Sequence, residues 1–85
     1  MATKQDLRVW LMGALEGAGG RASIVQICRD VWAHHEGELR SSGDLFFTWQ
    51  YHIRWAATDL RRDGTMRPVE LSPRGIWELA NRQIS

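Results

Sequence analysis

Apolar side chains recur every three to four positions in three stretches of this chain, which is the spacing of helices with one buried face. The predicted helices run from about Lys4 to Leu15, from Ile24 to about Trp32, and from Leu45 or Phe46 to Arg62. Their inward stripes are Leu7, Trp10, Leu11, Ala14 and Leu15; Ile24, Ile27, Cys28, Val31 and Trp32; and Trp49, Ile53, Ala56 and Leu60. Together these stripes predict one hydrophobic core.

The ends of the helices carry recognisable signals. Thr3 and Asp6 have the spacing of a capping pair, and Ser23 and Asp44 are suited to begin the next two helices. Glycines 17, 19 and 20 end the first helix, and Asp63-Gly64 ends the third. The polar stretch 33–43 contains two His, two Glu, two Ser and two Gly without periodicity, which predicts a loop.

Short β-favouring runs follow the first and third helices. Residues 21–22 are long enough for a bridge or short strand, and runs 65–71 and 75–80 flank Ser72-Pro73-Arg74-Gly75. Pro at the first central position of a turn and Gly at its close predict a β-hairpin with a basic tip. The resulting order, helix, strand, helix, helix, strand, strand, is that of an α+β winged helix-turn-helix in a single domain, residues 1–85. We expect an ordered core over about residues 4–80 and fraying over 81–85.

Composition limits the function classes. At 85 residues and 9.8 kDa the chain has room for one core, and 44% hydrophobic content with five Trp is enough to build it. A single cysteine, Cys28, excludes an internal disulfide, and no apolar run is long enough for a bilayer span. We therefore expect a cytoplasmic protein without a membrane role. The net charge of +1 divides into −1 for residues 1–38 and +2 for residues 39–85, so the C-terminal half is the basic one.

The third helix is the predicted reader of double-stranded DNA, because an α-helix fits the major groove and a hairpin beside it reaches the backbone. Its outward stripe is Phe47, Tyr51, Arg54, Thr58 and Arg62. An arginine fork takes guanine edges or phosphates, and a glutamine amide pairs with adenine. The predicted DNA contacts are Arg40, Thr48, Trp49, Gln50, Tyr51, His52, Arg54, Trp55, Thr58, Arg62 and Arg74. For each of them a solvated or core position is the alternative.

Catalytic chemistry is not expected. Adjacent His34 and His35 point in different directions and have no second ligand cluster, so we expect neither a metal nor another cofactor. Metal-dependent nucleases of the PD-(D/E)XK type need a lysine beside their carboxylates, and the only lysine is Lys4. His-Asn-His nucleases need an interior asparagine, and the only one is Asn81.

Segments 52–66, HIRWAATDLRRDGTM, and 72–80, SPRGIWELA, resemble the N-terminal winged-helix domain of Mrr-type, modification-dependent restriction proteins. The matching positions are Trp55, Ala56, Leu60, Gly64, Arg74, Gly75 and Trp77. The chain departs from the family pattern at His52, where an arginine is usual, and at Ala80, where a threonine is usual. The resemblance in element order covers roughly residues 5–80.

This resemblance implies a DNA-recognition module joined to or associated with a nuclease, whose target DNA carries a modified base, with N6-methyladenine favoured. Two other functions stay open. A winged-helix protein-interaction module agrees with the modest net charge and the aromatic residues Phe46, Phe47 and Tyr51. A transcriptional regulator would bind unmodified operator DNA, with a palindromic footprint if it is a dimer.

Overall fold

The computed structural model describes residues 2–80 and shows a small α+β domain with three helices and a two-stranded antiparallel sheet. The elements are α1 (Lys4–Gly17), β1 (Arg21–Ser23), α2 (Ile24–Arg40), α3 (Leu45–Arg62), a 3₁₀ helix (Val69–Leu71) and β2 (Ile76–Glu78). This confirms the α+β class and the three helices, in a layout compatible with the predicted winged helix. The predicted fraying of residues 81–85 lies outside the described residues.

Local capping fixes the start of α1 as predicted. The Asp6 amide donates to the Thr3 hydroxyl at 3.4 Å, and the Thr3 amide donates to the Asp6 carboxylate at 3.0 Å. At the other end the Gly20 amide donates to the Leu15 carbonyl at 2.8 Å, with Gly20 at a φ of 100° that favours glycine. The helix is thus two residues longer than its hydrophobic stripe.

The second helix is much longer than predicted, and the expected loop over 33–43 is wrong for most of its length. Helix α2 continues to Arg40 across a kink at His35, whose φ is −132°. The continuation is stabilised by tertiary contacts, because Leu39 is fully buried and the His35 ring stacks on Trp10. The remaining connection is short, and within it Ser42 accepts the Ala2 amide at 2.9 Å and donates to the Glu38 carbonyl.

The core lies between α1 and α3 and is closed by α2. Leu7, Leu11 and Leu15 of α1 are fully buried, as are Ile27 of α2 and Ile53 of α3. The predicted stripes are therefore confirmed at their centres. The residues at the edges of the stripes are only half-buried and pack against the core. They are Trp10, Ala14, Ile24, Cys28 and Trp32.

The predicted C-terminal hairpin forms only at the base of its first arm, where the Arg67 amide donates to the Glu78 carbonyl at 3.0 Å and the Ala80 amide donates to the Thr65 carbonyl at 2.9 Å. On its other edge strand β2 pairs with β1, in the register Arg21↔Glu78, Ala22↔Trp77 and Ser23↔Ile76. The run 65–71 contributes one isolated bridge, Met66↔Leu79, and then leaves the sheet for the 3₁₀ helix. Pro68 explains the departure, since proline has no amide to continue a β-ladder.

The turn before β2 is shifted by one residue from its predicted position. The Ile76 amide donates to the Pro73 carbonyl at 3.1 Å, so Arg74 and Gly75 are the two central residues. Gly75 has a φ of 76°, which suits the second central position of a type II turn. Arg74 lies in this turn, at the end of the 67–75 loop that leads into β2. Among residues 2–80, every helix is too short or too polar to cross a lipid bilayer.

Candidate functional site

The arginines divide into two groups by their partners. Of the nine arginines in residues 2–80, five have a carboxylate oxygen within 4.0 Å. The paired residues are Arg8, Arg21, Arg40, Arg62 and Arg67. The other four have no such partner among the described residues, and they are Arg29, Arg54, Arg61 and Arg74.

All four unpaired arginines line two adjoining depressions beside α3. The first, here called the α2–α3 groove, has a volume of about 560 Å³ and is lined by Ile24, Val25, Cys28, Arg29, Trp32, Phe46, Trp49, Gln50 and Arg54. The second, here called the arginine cleft, has a volume of about 240 Å³ and is lined by Ile24, Arg54, Thr58, Arg61, Val69, Pro73, Arg74, Gly75, Ile76 and Trp77. Arg54 belongs to both. No Asp or Glu lines either one, so the two depressions form one positively charged surface.

The α2–α3 groove has an aromatic wall. The rings of Trp32 and Trp49 are nearly parallel, with centroids 6.2 Å apart and planes inclined by 12°. Phe46 lies 6.2 Å from Trp32, and the Arg40 guanidinium lies over both of these rings at 5.3 and 5.7 Å. Since Gln50 and Arg54 also line the groove, it combines flat apolar surface with hydrogen-bond donors. That combination suits a planar, partly polar ligand.

Cys28 also lines this groove, and its environment makes the thiol a weak nucleophile. Burial raises the pKa of its thiol above the usual 9.0, and the positive charge of Arg54 only partly offsets this. A thiol of this kind is protonated at neutral pH and is a poor nucleophile. The groove is therefore better suited to binding than to covalent chemistry at Cys28.

The arginine cleft is built by helical spacing on one side and by the 67–75 loop on the other. Arg54, Thr58 and Arg61 occupy positions i, i+4 and i+7 of α3 and so share one face of the helix. The Thr58 hydroxyl donates to the Arg54 carbonyl at 3.2 Å. Arg74 lies on the loop two residues after Ser72, whose hydroxyl donates to the Glu78 carboxylate at 3.1 Å. Three arginine residues thus line one small space.

A stripe of exposed aromatic side chains follows α3 beside the arginines. Phe47, Tyr51 and Trp55 lie at i, i+4 and i+8, and their exposed fractions are 82%, 60% and 49%. Tyr51 meets Trp55 edge to face at 6.3 Å, and it meets His52 in the same way at 5.2 Å. Large apolar side chains at this exposure indicate a surface available for contact.

The structure brings four predicted contact residues together, namely Gln50, Arg54, Thr58 and Arg74, all of which line the groove or the cleft. Trp49 is 5% exposed and belongs to the core, with one edge toward the groove. Tyr51 and Trp55 lie on the exposed aromatic stripe. Arg40 lies over the aromatic wall, with its charge paired to Glu36 at 2.7 Å.

Three other predicted contact residues line neither depression. The Thr48 hydroxyl donates to the Asp44 carbonyl at 3.2 Å, and His52 is half-buried beside Tyr51. Arg62 is exposed and pairs with Asp59 at 3.6 Å. Sequence reasoning missed Arg29 and Arg61. The signal for Arg61 was its i+7 spacing from Arg54, whereas Arg29 is found only once the packing of α2 on α3 is known.

The two neighbouring histidines of α2 have separate partners. His34 Nδ1 lies 2.8 Å from the Asp30 carbonyl, and His35 Nδ1 lies 2.9 Å from the Glu38 carboxylate. Within residues 2–80 no group of three or more His, Cys, Asp or Glu side chains is arranged to hold a metal ion. The groups available for binding at the site are therefore the arginines, the aromatic wall and the Gln50 amide.

Comparison with known proteins adds no relative to this description, since the chain matches no protein-family model, no curated protein and no solved structure.

Proposed function

We propose that this chain is a non-catalytic, winged-helix module that binds double-stranded DNA by placing α3 in the major groove and the 67–75 loop against the adjacent backbone. The observation that carries the proposal is the position of the four unpaired arginines. All of them line the two depressions beside α3, while the paired arginines are neutralised by nearby carboxylates. A duplex presents about one phosphate charge per 1.7 Å of axis, and it complements such a surface.

The net charge of +1 does not oppose this function. Net charge is a sum over the whole surface, whereas a duplex meets only one face of a small domain. The carboxylates of Asp63 and Glu78 are engaged with Arg8, Arg21 and Arg67, which line neither depression. The lining of the two depressions therefore carries four positive charges and no negative one.

The exposed surface of α3 also carries groups that can read base edges. Gln50 and Arg54 are one turn apart, and Tyr51 lies between them in sequence on the exposed side of the helix. A glutamine amide pairs with adenine N6 and N7, and an arginine fork pairs with guanine O6 and N7. These side chains supply sequence readout, while the remaining arginines supply affinity.

We further propose that the DNA carries a modified base, with N6-methyladenine favoured, and that the module acts with a fused or associated nuclease. The support is the resemblance of segments 52–66 and 72–80 to Mrr-type restriction proteins, together with the α2–α3 groove. There Gln50 lies beside the apolar rings of Trp32, Phe46 and Trp49. An added methyl group on adenine would meet apolar surface next to the amide that pairs with the base.

A protein-interaction module is the second candidate, favoured by the exposure of Phe47 at 82% and Val25 at 61%. Partner proteins bind such apolar residues with little dependence on salt. Salt dependence therefore separates the two functions.

The test is a fluorescence-anisotropy titration of the protein into three matched duplexes, unmodified, N6-methyladenine and 5-methylcytosine, at 50 and 200 mM salt. We expect salt-dependent binding to all three and the tightest binding to the N6-methyladenine duplex. Equal affinity for the three would retain DNA binding and remove the modified base from the proposal. Absence of binding to every duplex at 50 mM salt would favour the protein-interaction module.

A further inference from the structure

The arginine cleft concentrates positive charge beyond what the fold requires. Arg54 and Arg61 lie two helical turns apart on the same face of α3, about 10 Å along the axis, and Arg74 closes the cleft from the loop. Like charges in one small space repel each other, which opposes folding unless a counter-charge is present. Among residues 2–80 no carboxylate lies within 4.0 Å of any of the three guanidinium groups.

Arg61 also has one donor without an acceptor, although Arg61 as a whole is half-buried and lines the cleft. Its Nε atom is buried from solvent and makes no hydrogen bond within the described residues. A buried donor without an acceptor is costly, and guanidinium donors are among the most costly to leave unsatisfied. Arg67 Nε is also buried without a hydrogen bond, but it lies 3.2 Å from the Glu78 carboxylate and is balanced electrostatically. Arg61 has no such compensation.

The surroundings of the cleft select the kind of ligand. Its walls include the apolar residues Val69, Ile76 and Trp77, and its volume of about 240 Å³ is just below the range of about 300–1,000 Å³ for typical ligand pockets. The space suits a compact anion with several acceptor oxygens. Guanidinium forks match phosphate oxygens in pairs, so two or three arginines around one phosphate form a favourable arrangement.

We propose that the arginine cleft is a phosphate site, in which Arg54, Arg61 and Arg74 bind one phosphodiester group of the DNA backbone. That the phosphate belongs to DNA rests on the proposed DNA-binding function. That the cleft binds a phosphate rests on the geometry of the cleft alone. One bound phosphate would contact both α3 and the 67–75 loop. It would thus set the angle at which α3 enters the major groove of the DNA. Arg61, rather than its neighbour Arg62, is the new residue in this interface.

The first experiment examines the site without DNA. Inorganic phosphate, and dimethyl phosphate as a phosphodiester analogue, are titrated into ¹⁵N-labelled protein while the arginine Nε–Hε signals are followed. We expect the signals of Arg54, Arg61 and Arg74 to shift together, and those of the paired Arg21 and Arg62 to stay in place. Arg61→Gln should abolish the joint shift, whereas Arg62→Gln should retain it. Equal shifts at all arginines would overturn the site.

The second experiment measures duplex affinity for Arg61→Gln and Arg74→Gln, with Arg21→Gln as the control. Arg21 lies on β1, lines neither depression, and pairs with Glu78, which keeps Arg67 and Ser72 as loop partners in this variant. We expect each cleft variant to bind roughly tenfold more weakly and the slope of log affinity against log salt to fall by about 0.9. Arg74 is an exposed turn residue, so its variant tests the site even if Arg61→Gln folds poorly.

The two experiments separate failure of the site from failure of the function. If the duplex binds the wild type, and the cleft variants behave like Arg21→Gln, the phosphate site is wrong and DNA binding stands. If phosphate shifts the three cleft signals but no duplex binds, the site is supported and DNA is the wrong source of the phosphate.

Discussion

The rings of Trp10 and His35 lie face to face, with centroids 3.8 Å apart and planes inclined by 8°, and this contact joins α1 to the kink of α2. Beyond the kink the helix carries Leu39 into the core and Arg40 onto the aromatic wall of the α2–α3 groove. A contact between two residues that line neither depression thereby helps to shape the candidate site. It also accounts for helical structure where the sequence pattern predicts a loop.

Trp10→Ala should therefore lower the free energy of unfolding by about 2–3 kcal/mol, because a half-buried indole loses its apolar contacts and its ring stack. Urea denaturation measures the loss, and hydrogen exchange should show earlier exchange over residues 36–40. Val9→Ala, at an exposed neighbouring position, is the control. Equal losses for the two variants would show that the stack does not stabilise α2.

How far the sequence predicts the fold depends on the range of the interactions involved. The limits of α1 follow from its apolar stripe and from the capping pair Thr3 and Asp6, and those of α3 from its apolar stripe and Gly64, so both were predicted closely. Asp44 does not cap α3 through its side chain. The second half of α2 depends on the contact between Trp10 and His35, which are 25 positions apart in the sequence. No pattern within α2 indicates this contact. The same holds for β2, whose partner Ala22 lies 55 positions before Trp77.

The candidate site could likewise be predicted from the sequence only where local spacing determines it. Gln50, Arg54 and Thr58 share the outward face of a predicted helix, so their exposure could be anticipated. Arg61 and Arg62 are adjacent, and only the position of the 67–75 loop and of Asp59 decides which one borders the cleft.

Asp63 should make stability depend on pH in the acid range. The hydroxyl and the backbone amide of Thr65, and after them the Arg8 guanidinium, lower the pKa of Asp63 below its usual 3.8. A lowered pKa in the folded state stabilises the fold above the unfolded-state pKa, and this contribution is lost as the pH falls through the folded-state pKa. The stability difference between wild type and Asp63→Asn should be full at pH 6 and should shrink below pH 3.8.

Urea unfolding at a series of pH values measures this difference, and Asp44→Asn controls for the loss of one acidic charge. Asp44 precedes α3 but makes no capping hydrogen bond through its side chain. A difference for Asp63→Asn that stays constant down to pH 2 would contradict the assignment.

Glu78 should act as the anchor of the 67–75 loop. Its carboxylate accepts the Ser72 hydroxyl and lies 3.2–3.3 Å from Arg67 and Arg21, with only 14% of the side chain exposed. Glu78→Gln removes the charge from this partly buried cluster and should cost about 1–3 kcal/mol of stability. Because the loop carries Arg74, duplex affinity should fall as well. Thermal unfolding and anisotropy measure the two effects, and an unchanged stability would contradict the anchoring role.

Cys28 offers a footprint of the α2–α3 groove. Burial raises the pKa of its thiol, so alkylation by iodoacetamide should be slow at pH 7 and should accelerate toward pH 9. Saturating duplex should slow the reaction further at either pH, because Cys28 lines the same groove as Gln50 and Arg54. Mass spectrometry gives the rates. A duplex that binds but leaves the alkylation rate unchanged would show that this groove does not face the DNA.

The central claim is that the position of the unpaired arginines, rather than the total charge, makes this domain bind DNA. It is tested most directly by comparing two double variants of equal net charge, Arg54→Gln with Arg74→Gln, and Arg8→Gln with Arg21→Gln. Both lower the formal charge from +1 to −1. Duplex affinity is measured by anisotropy at several salt concentrations, after circular dichroism shows that both variants are folded.

The account predicts that the Arg54/Arg74 variant loses about two orders of magnitude in affinity and about two units of salt slope, while the Arg8/Arg21 variant stays close to the wild type. Equal losses in the two variants, or no loss in either, would contradict it.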